Sequence, residues 1–359
     1  MKDRVKYLDG LRFFAIMNVI LIHVFGLFRH QYFSTNNLKY TLVTFADSFT
    51  RTGVPLFFML TGILMFTKKD KNEGYITFFR KRVLKFILIY LFFSMIYYIY
   101  SHLGYKISLY NFFATITSNQ ATYHLWFMPV IILIYLFIPF LKKFISNVTR
   151  KDLETIIIII FIFGNVFNAI SKVSMIFGRE LLGNFSLPNL LIYINYLFLG
   201  YYLYKYEIKI TKIKIILSII SIILMPIFSV LISKNTINDL FLGATSPLVI
   251  MPTIVIFLLF KKYYNKIQIP SVINTFISKN SANIIYVYLW HVLIIEILNK
   301  WLLKYRINQP FIEDIIWMII YYIVAVILSF TISIVWNKLV LLLKKILKSF
   351  PAIIINKKC

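Results

Sequence analysis

The sequence predicts an all-α protein, a polytopic transmembrane helical bundle of about ten spans, with both termini in the cytoplasm. Three observations predict it. The chain is 60% hydrophobic and 14% charged, against roughly 45–50% and 25% in a soluble globular domain, and its mean hydropathy is +0.79. The apolar residues come in long blocks, and a helix of roughly 20 apolar residues crosses a bilayer core. The formal net charge of +26 is concentrated in alternate loops, and positive charge resists translocation. Lipid offers the backbone no hydrogen-bonding partner, so such blocks must be helices. The weak alternation of barrel strands is absent.

The blocks are 7–28, 52–67, 83–103, 124–141, 154–172, 188–204, 213–232, 246–263, 281–303 and 315–340. The first follows Lys2, Arg4 and Lys6 without a small-residue cleavage site, and reads as a retained signal anchor. The second is short and runs into Lys68, Lys69 and Lys71. The third begins at Arg80, Lys81, Arg82 and Lys85 and closes on Tyr97, Tyr98 and Tyr100, rings that favour the headgroup region. The fourth starts at His124 and Trp126 and ends at Lys142 and Lys143. Arg150 and Lys151 precede the fifth. The sixth is polar in places and ends in Tyr201, Tyr202 and Tyr204. Lys212 and Lys214 open the seventh, Lys261 and Lys262 close the eighth, and Lys279 precedes the ninth. The tenth leads to Lys344, Lys345 and Lys348. Starting inside, all these cations fall in cytoplasmic segments. The external segments hold fewer: Arg29, Lys39, Arg51, Lys106, Lys172, Arg179, Lys234, Lys300, Lys304 and Arg306. The chain thus reads as one transmembrane domain, 1–345, with a short basic cytoplasmic tail, 346–359.

The charge pattern accounts for the basic balance by topology, so no nucleic-acid partner is expected. The one cysteine, Cys359, excludes a disulfide within the chain, and its place as the last residue is not that of a prenylation box. No GxGxxG, GxxxxGK[ST], HExxH or CxxC motif occurs, and no metal is expected. The longest hydrophilic stretch, Thr67 to Thr77, is too short to fold alone.

Charged groups inside a membrane are costly and mark function or paired structure. The first span carries Asp9, Arg12 and His23. Arg12 and His23 are eleven residues apart, which puts them about 20° from alignment on one helix face, with roughly 16 Å of rise between them. A cation at the cytoplasmic mouth and a deeper imidazole suit an extended anionic cofactor, and histidine is a plausible general base. The structural alternative is that Arg12 pairs with Asp9 while His23 bonds a neighbouring helix. The ninth span carries Tyr288, His291 and Glu296; Glu296 stands four before Lys300, the spacing of a local ion pair. Arg80-Lys81-Arg82 with Lys85 reads either as an inside anchor or as a phosphate-binding cluster. His124 and Trp126 read either as an interfacial belt or as an aromatic platform for a sugar.

The sequence Tyr7-Leu8-Asp9-Gly10-Leu11-Arg12 followed by His23 resembles the first helix of the acyltransferase 3 family of bacterial membrane proteins. Arg51-Thr-Gly-Val-Pro-Leu-Phe-Phe-Met-Leu-Thr-Gly62, Phe79-Arg80-Lys81-Arg82-Val-Leu-Lys85, and His124-Leu-Trp-Phe-Met-Pro129 with Leu136-Phe-Ile-Pro139 are similar to the next three. Phe198 to Leu203, Ser246 to Val249 with Phe257 to Lys261, and Tyr288-Leu-Trp-His291 follow in the family's order. The resemblance covers nearly the whole chain. It implies a multi-pass enzyme of the bacterial plasma membrane that takes an acyl group, usually acetyl, from cytoplasmic acyl-CoA. It implies as acceptor a hydroxyl of a cell-surface polysaccharide or a lipid-linked sugar. It carries catalysis onto His23 and Arg12, and cofactor binding onto Arg12, Arg80, Arg82 and Lys85. The family's Arg-x-x-Arg reads here as Arg82-x-x-Lys85, where lysine keeps the charge without the bidentate fork. His124, Trp126, Tyr288 and His291 are the expected substrate contacts. Some family members carry a fused extracellular esterase-like domain; none is expected here. The competing reading is a glycan or lipid exporter or flippase, but neither an internal repeat nor symmetric proline placement supports it.

Overall fold

In lipid the backbone must satisfy its own hydrogen bonds, and the described residues form helices with no strand. The computed structural model describes residues 5–68, 74–104, 107–117, 123–179, 181–233, 236–302 and 310–355, with side chains as far as Leu342. Among these residues nine helices are long and apolar enough to cross a membrane. They correspond to nine of the ten blocks. The remaining block, 188–204, is the helix Asn189–Lys205, whose 17 residues fall short of the roughly 20 of a full crossing. Every residue from Ile192 to Gly200 is buried, so this helix is sheathed by protein and its length is not set by lipid.

The helices are α1 (Lys6–Phe33), α2 (Asn37–Ser48), α3 (Gly53–Phe66), α4 (Tyr75–Phe78), α5 (Leu84–Ser101), α6 (Leu109–Thr117), α7 (Phe127–Asn147), α8 (Arg150–Ile160), α9 (Phe167–Ile176), α10 (Asn189–Lys205), α11 (Lys212–Ile232), α12 (Pro247–Tyr263), α13 (Ser271–Asn280), α14 (Ile284–Leu302) and α15 (Phe311–Ile355). π-helical segments join α4 to α5 at Phe79–Val83 and α8 to α9 at Phe161–Val166. The chain divides into two compact units: residues 1–40 with 264–359, and residues 41–263.

In the first unit α1 packs against α13, α14 and α15. Phe13 meets Phe330, Phe28 meets Tyr321, and Lys39 pairs with Asp314, so α1 and α15 run antiparallel. Asp9 meets Ser281 and His23 meets His291, so α1 and the chain through α14 run parallel. Arg29, predicted as an external cation, is 2% exposed and stands over the Tyr40 ring at 5.8 Å.

In the second unit the stretch before the second span, predicted as an external loop, is instead helical. α2 and α3 form one apolar run, Asn37–Phe66, interrupted only at 49–52. Side chains replace the helix bonds lost there: Thr50 Oγ1 donates to the Asp47 carbonyl at 2.7 Å, and the Arg51 guanidinium donates to both Asp47 carboxylate oxygens. Arg51 is therefore buried and paired, not an exposed topogenic charge.

α3 and α10 cross at contact distance. Phe58 stacks on Tyr193 and Phe66 meets Phe198 and Tyr201, so the two run in the same direction. A Cβ on Gly62 would lie 2.2 Å from the Leu197 carbonyl oxygen, and one on Gly200 would lie 2.4 Å from that of Met59. Backbone atoms cannot rotate aside, and apolar association between helices is weak in lipid, where close packing of small residues supplies the attraction. Gly200→Val is expected to lower the thermal unfolding midpoint in detergent by several degrees, overpacking of this kind costing about 1–3 kcal/mol. An unchanged midpoint contradicts the close crossing.

Candidate functional site

The polar residues of α1 are built into the site turn by turn. Gly10 lets the Tyr264 ring lie against the helix: a Cβ there would come within 2.1 Å of the ring. Tyr264 is in turn fixed by a hydrogen bond to Asn274 Oδ1 at 3.2 Å. This seats the turn that carries Asp9 and Arg12. Ser281, between α13 and α14, donates to Asp9 Oδ1 at 2.5 Å and accepts from Arg12 Nη1 at 2.5 Å. Arg12 Nη1 also stands 3.7 Å from Asp9 Oδ1. The Arg12–Asp9 pair considered from sequence is thus present, with Ser281 as the bridge. The guanidinium is half-buried and is oriented by Ser281 and Asp9.

Three turns along α1, His23 faces α14. Its ring centroid lies 4.9 Å from that of His291, at 49°. His291 is fully buried, and its Nδ1 lies 2.5 Å from the Tyr288 carbonyl. A carbonyl only accepts, so Nδ1 carries a proton, which leaves Nε2 as the nitrogen that can exchange one. The Tyr288 ring, 5.7 Å from that of His291, completes the wall. Arg12 and His23 therefore both address the α13–α14 side of α1. His291 and Tyr288, expected from sequence as substrate contacts, lie beside His23. Ser281 and Tyr264 were not found from sequence, since a serine in a turn and a tyrosine at a helix end carry no signal of their own.

The other predicted residues belong to the second unit. Arg80 and Lys85 are exposed, whereas Arg82 turns inward. Its guanidinium lies 4.9 Å from the Phe78 ring centroid, and Nη1 reaches Met65 Sδ at 3.3 Å. The basic run occupies the π-helical segment Phe79–Val83, a distortion frequent at functional sites. Arg80 and Arg82, two residues apart, point to different sides of the helix. His124 is 1% exposed and lies edge-on to Tyr97 at 4.8 Å, so it forms part of the packed interior and offers no open platform. Trp126 is half-buried, tilted against Tyr193 at 5.6 Å.

These features define a multi-pass membrane protein with a histidine pair and a bridged arginine on one intramembrane face. A family model described as an acyltransferase domain matches residues 5–334. The chain belongs to this acyltransferase 3 family, and it is a membrane acyltransferase. No curated protein and no solved structure matches it.

Proposed function

We propose that this acyltransferase moves an acyl group, acetyl in the simplest case, from cytoplasmic acyl-CoA to a hydroxyl of a cell-surface polysaccharide or a lipid-linked sugar in the bacterial plasma membrane. The observation that carries the reading is the pairing of His23 with His291 on the helix face that also holds Arg12. His23 removes the proton from the acceptor hydroxyl as its oxygen attacks the thioester carbonyl. The carbon–sulfur bond breaks, and the CoA thiolate leaves and takes up a proton. His291, its tautomer set by the Tyr288 carbonyl, orients His23 and shares the proton, as a third group orients the base in other acyl-transfer sites. Arg12, held by Ser281 and Asp9, serves anionic donor groups, and Arg80, Arg82 and Lys85 serve the CoA phosphates. Trp126 is the acceptor-side ring that remains accessible. No nucleophile on the protein and no metal enters the scheme.

A ligand bound only by the folded state stabilises it by about 2.7 kcal/mol at a hundredfold excess over its Kd. Acetyl-CoA is therefore expected to raise the unfolding midpoint of the purified protein by several degrees. A midpoint indifferent to acetyl-CoA and to longer acyl-CoAs would favour an exporter of glycan or lipid.

A further inference from the structure

In the unit 41–263, an open pocket of about 720 Å³ lies where α3 and α10 end. Phe66, Lys68, Lys142, Tyr201, Tyr204 and Lys205 line it. Its three ammonium groups come from three separate segments: just past α3, α7, and the last residue of α10. Two of them are positioned by the fold. Lys142 Nζ donates to the Lys68 carbonyl at 2.6 Å, and Lys205 Nζ stands 5.3 Å from the Tyr201 ring centroid.

We propose that this pocket holds the phosphate-bearing nucleotide end of the donor, the 3′-phosphoadenosine diphosphate portion of acyl-CoA. The inference rests on the acyl-CoA reading of the donor and gives a donor-binding role to Lys68, Lys142 and Lys205, which the sequence offers only as cytoplasmic cations. Several cations gathered in one concavity match several phosphate charges, and tyrosine rings match the face of a purine. A single phospholipid headgroup supplies one phosphate and no ring. The volume lies within the roughly 300–1,000 Å³ of small-molecule sites. Lys142 and Lys205 thus sit on the donor's phosphates.

The test is the affinity of acetyl-CoA and of dephospho-CoA, which lacks the 3′-phosphate, measured by calorimetry in nanodiscs of zwitterionic lipid. Lys142→Ala and Lys205→Ala are each expected to weaken acetyl-CoA about tenfold, as loss of a charged hydrogen bond does. The double variant is expected to lose most of the discrimination between CoA and dephospho-CoA. Lys142→Gln and Lys205→Gln keep most of the side-chain length and an N–H donor without the charge, and are expected to match wild-type unfolding midpoints while binding as the alanine variants do. If wild type binds no acyl-CoA, the donor reading falls and the pocket assignment with it. If wild type binds and the variants bind equally well, the pocket assignment alone is overturned. Variants that keep CoA affinity but lose stabilisation by added phosphatidylglycerol would make the pocket a lipid headgroup site, which also overturns it.

Discussion

His23→Ala is expected to lower kcat/KM for acyl transfer by roughly a hundredfold to ten-thousandfold, the contribution of a positioned general base. The unfolding midpoint should stay near that of wild type, because His23 is half-buried and its truncation removes little packed area. Acetyl-CoA affinity should also stay near wild type, since the proposed role of the imidazole is on the acceptor proton. His291→Ala acts through His23 and separates the two roles. It should lower kcat by a smaller factor and alter the pH dependence of kcat, because His23 loses the ring 4.9 Å away to which the proposal gives a share of its proton. His291→Gln, which can still bond the Tyr288 carbonyl, should recover part of the rate. Full transfer by His23→Ala would remove the base assignment. An identical pH profile in His291→Ala would reduce His291 to packing.

Asp47→Leu should deplete the folded protein more severely than any substitution at the histidines. Asp47 is fully buried and Arg51 nearly so. The guanidinium also reaches the Leu242 carbonyl at 3.5 Å, too long to replace a carboxylate. Removing one partner of a buried ion pair costs about 3–5 kcal/mol, whereas replacing both by apolar residues is often close to neutral. Asp47→Leu is therefore expected to abolish the monodisperse peak in detergent chromatography, and Asp47→Leu with Arg51→Met to restore most of it. A stable single variant would show that the pair does not hold the α2–α3 break.

Span positions were legible in the sequence because hydrophobic length is a property of single segments. The aligned face of Arg12 and His23 was legible because helical geometry fixes it without reference to neighbours. What faces those residues was not legible. Ser281 and His291 lie more than 250 residues away in sequence, and only the packing of α1 against α13 and α14 brings them in. The topology argument also read Arg29 and Arg51 as solvated loop charges. A count of cations cannot see that Arg29 stands over Tyr40 or that Asp47, one helical turn before Arg51, takes up its charge. Likewise the short sixth block is explained by burial against α3, not by its own hydropathy. The basic pocket was hidden for a related reason: Lys68, Lys142 and Lys205 each look like an ordinary inside anchor, and their convergence is tertiary.

The most direct measurement follows the acyl group. The purified protein is reconstituted in sealed vesicles, acyl-labelled CoA is supplied on the face carrying the basic loops, and envelope carbohydrate is supplied as acceptor. The label should appear on the carbohydrate as an alkali-labile ester, with free CoA released in equal amount, and His23→Ala should abolish both. Carbohydrate that crosses the vesicle membrane while the label remains on CoA would contradict the account.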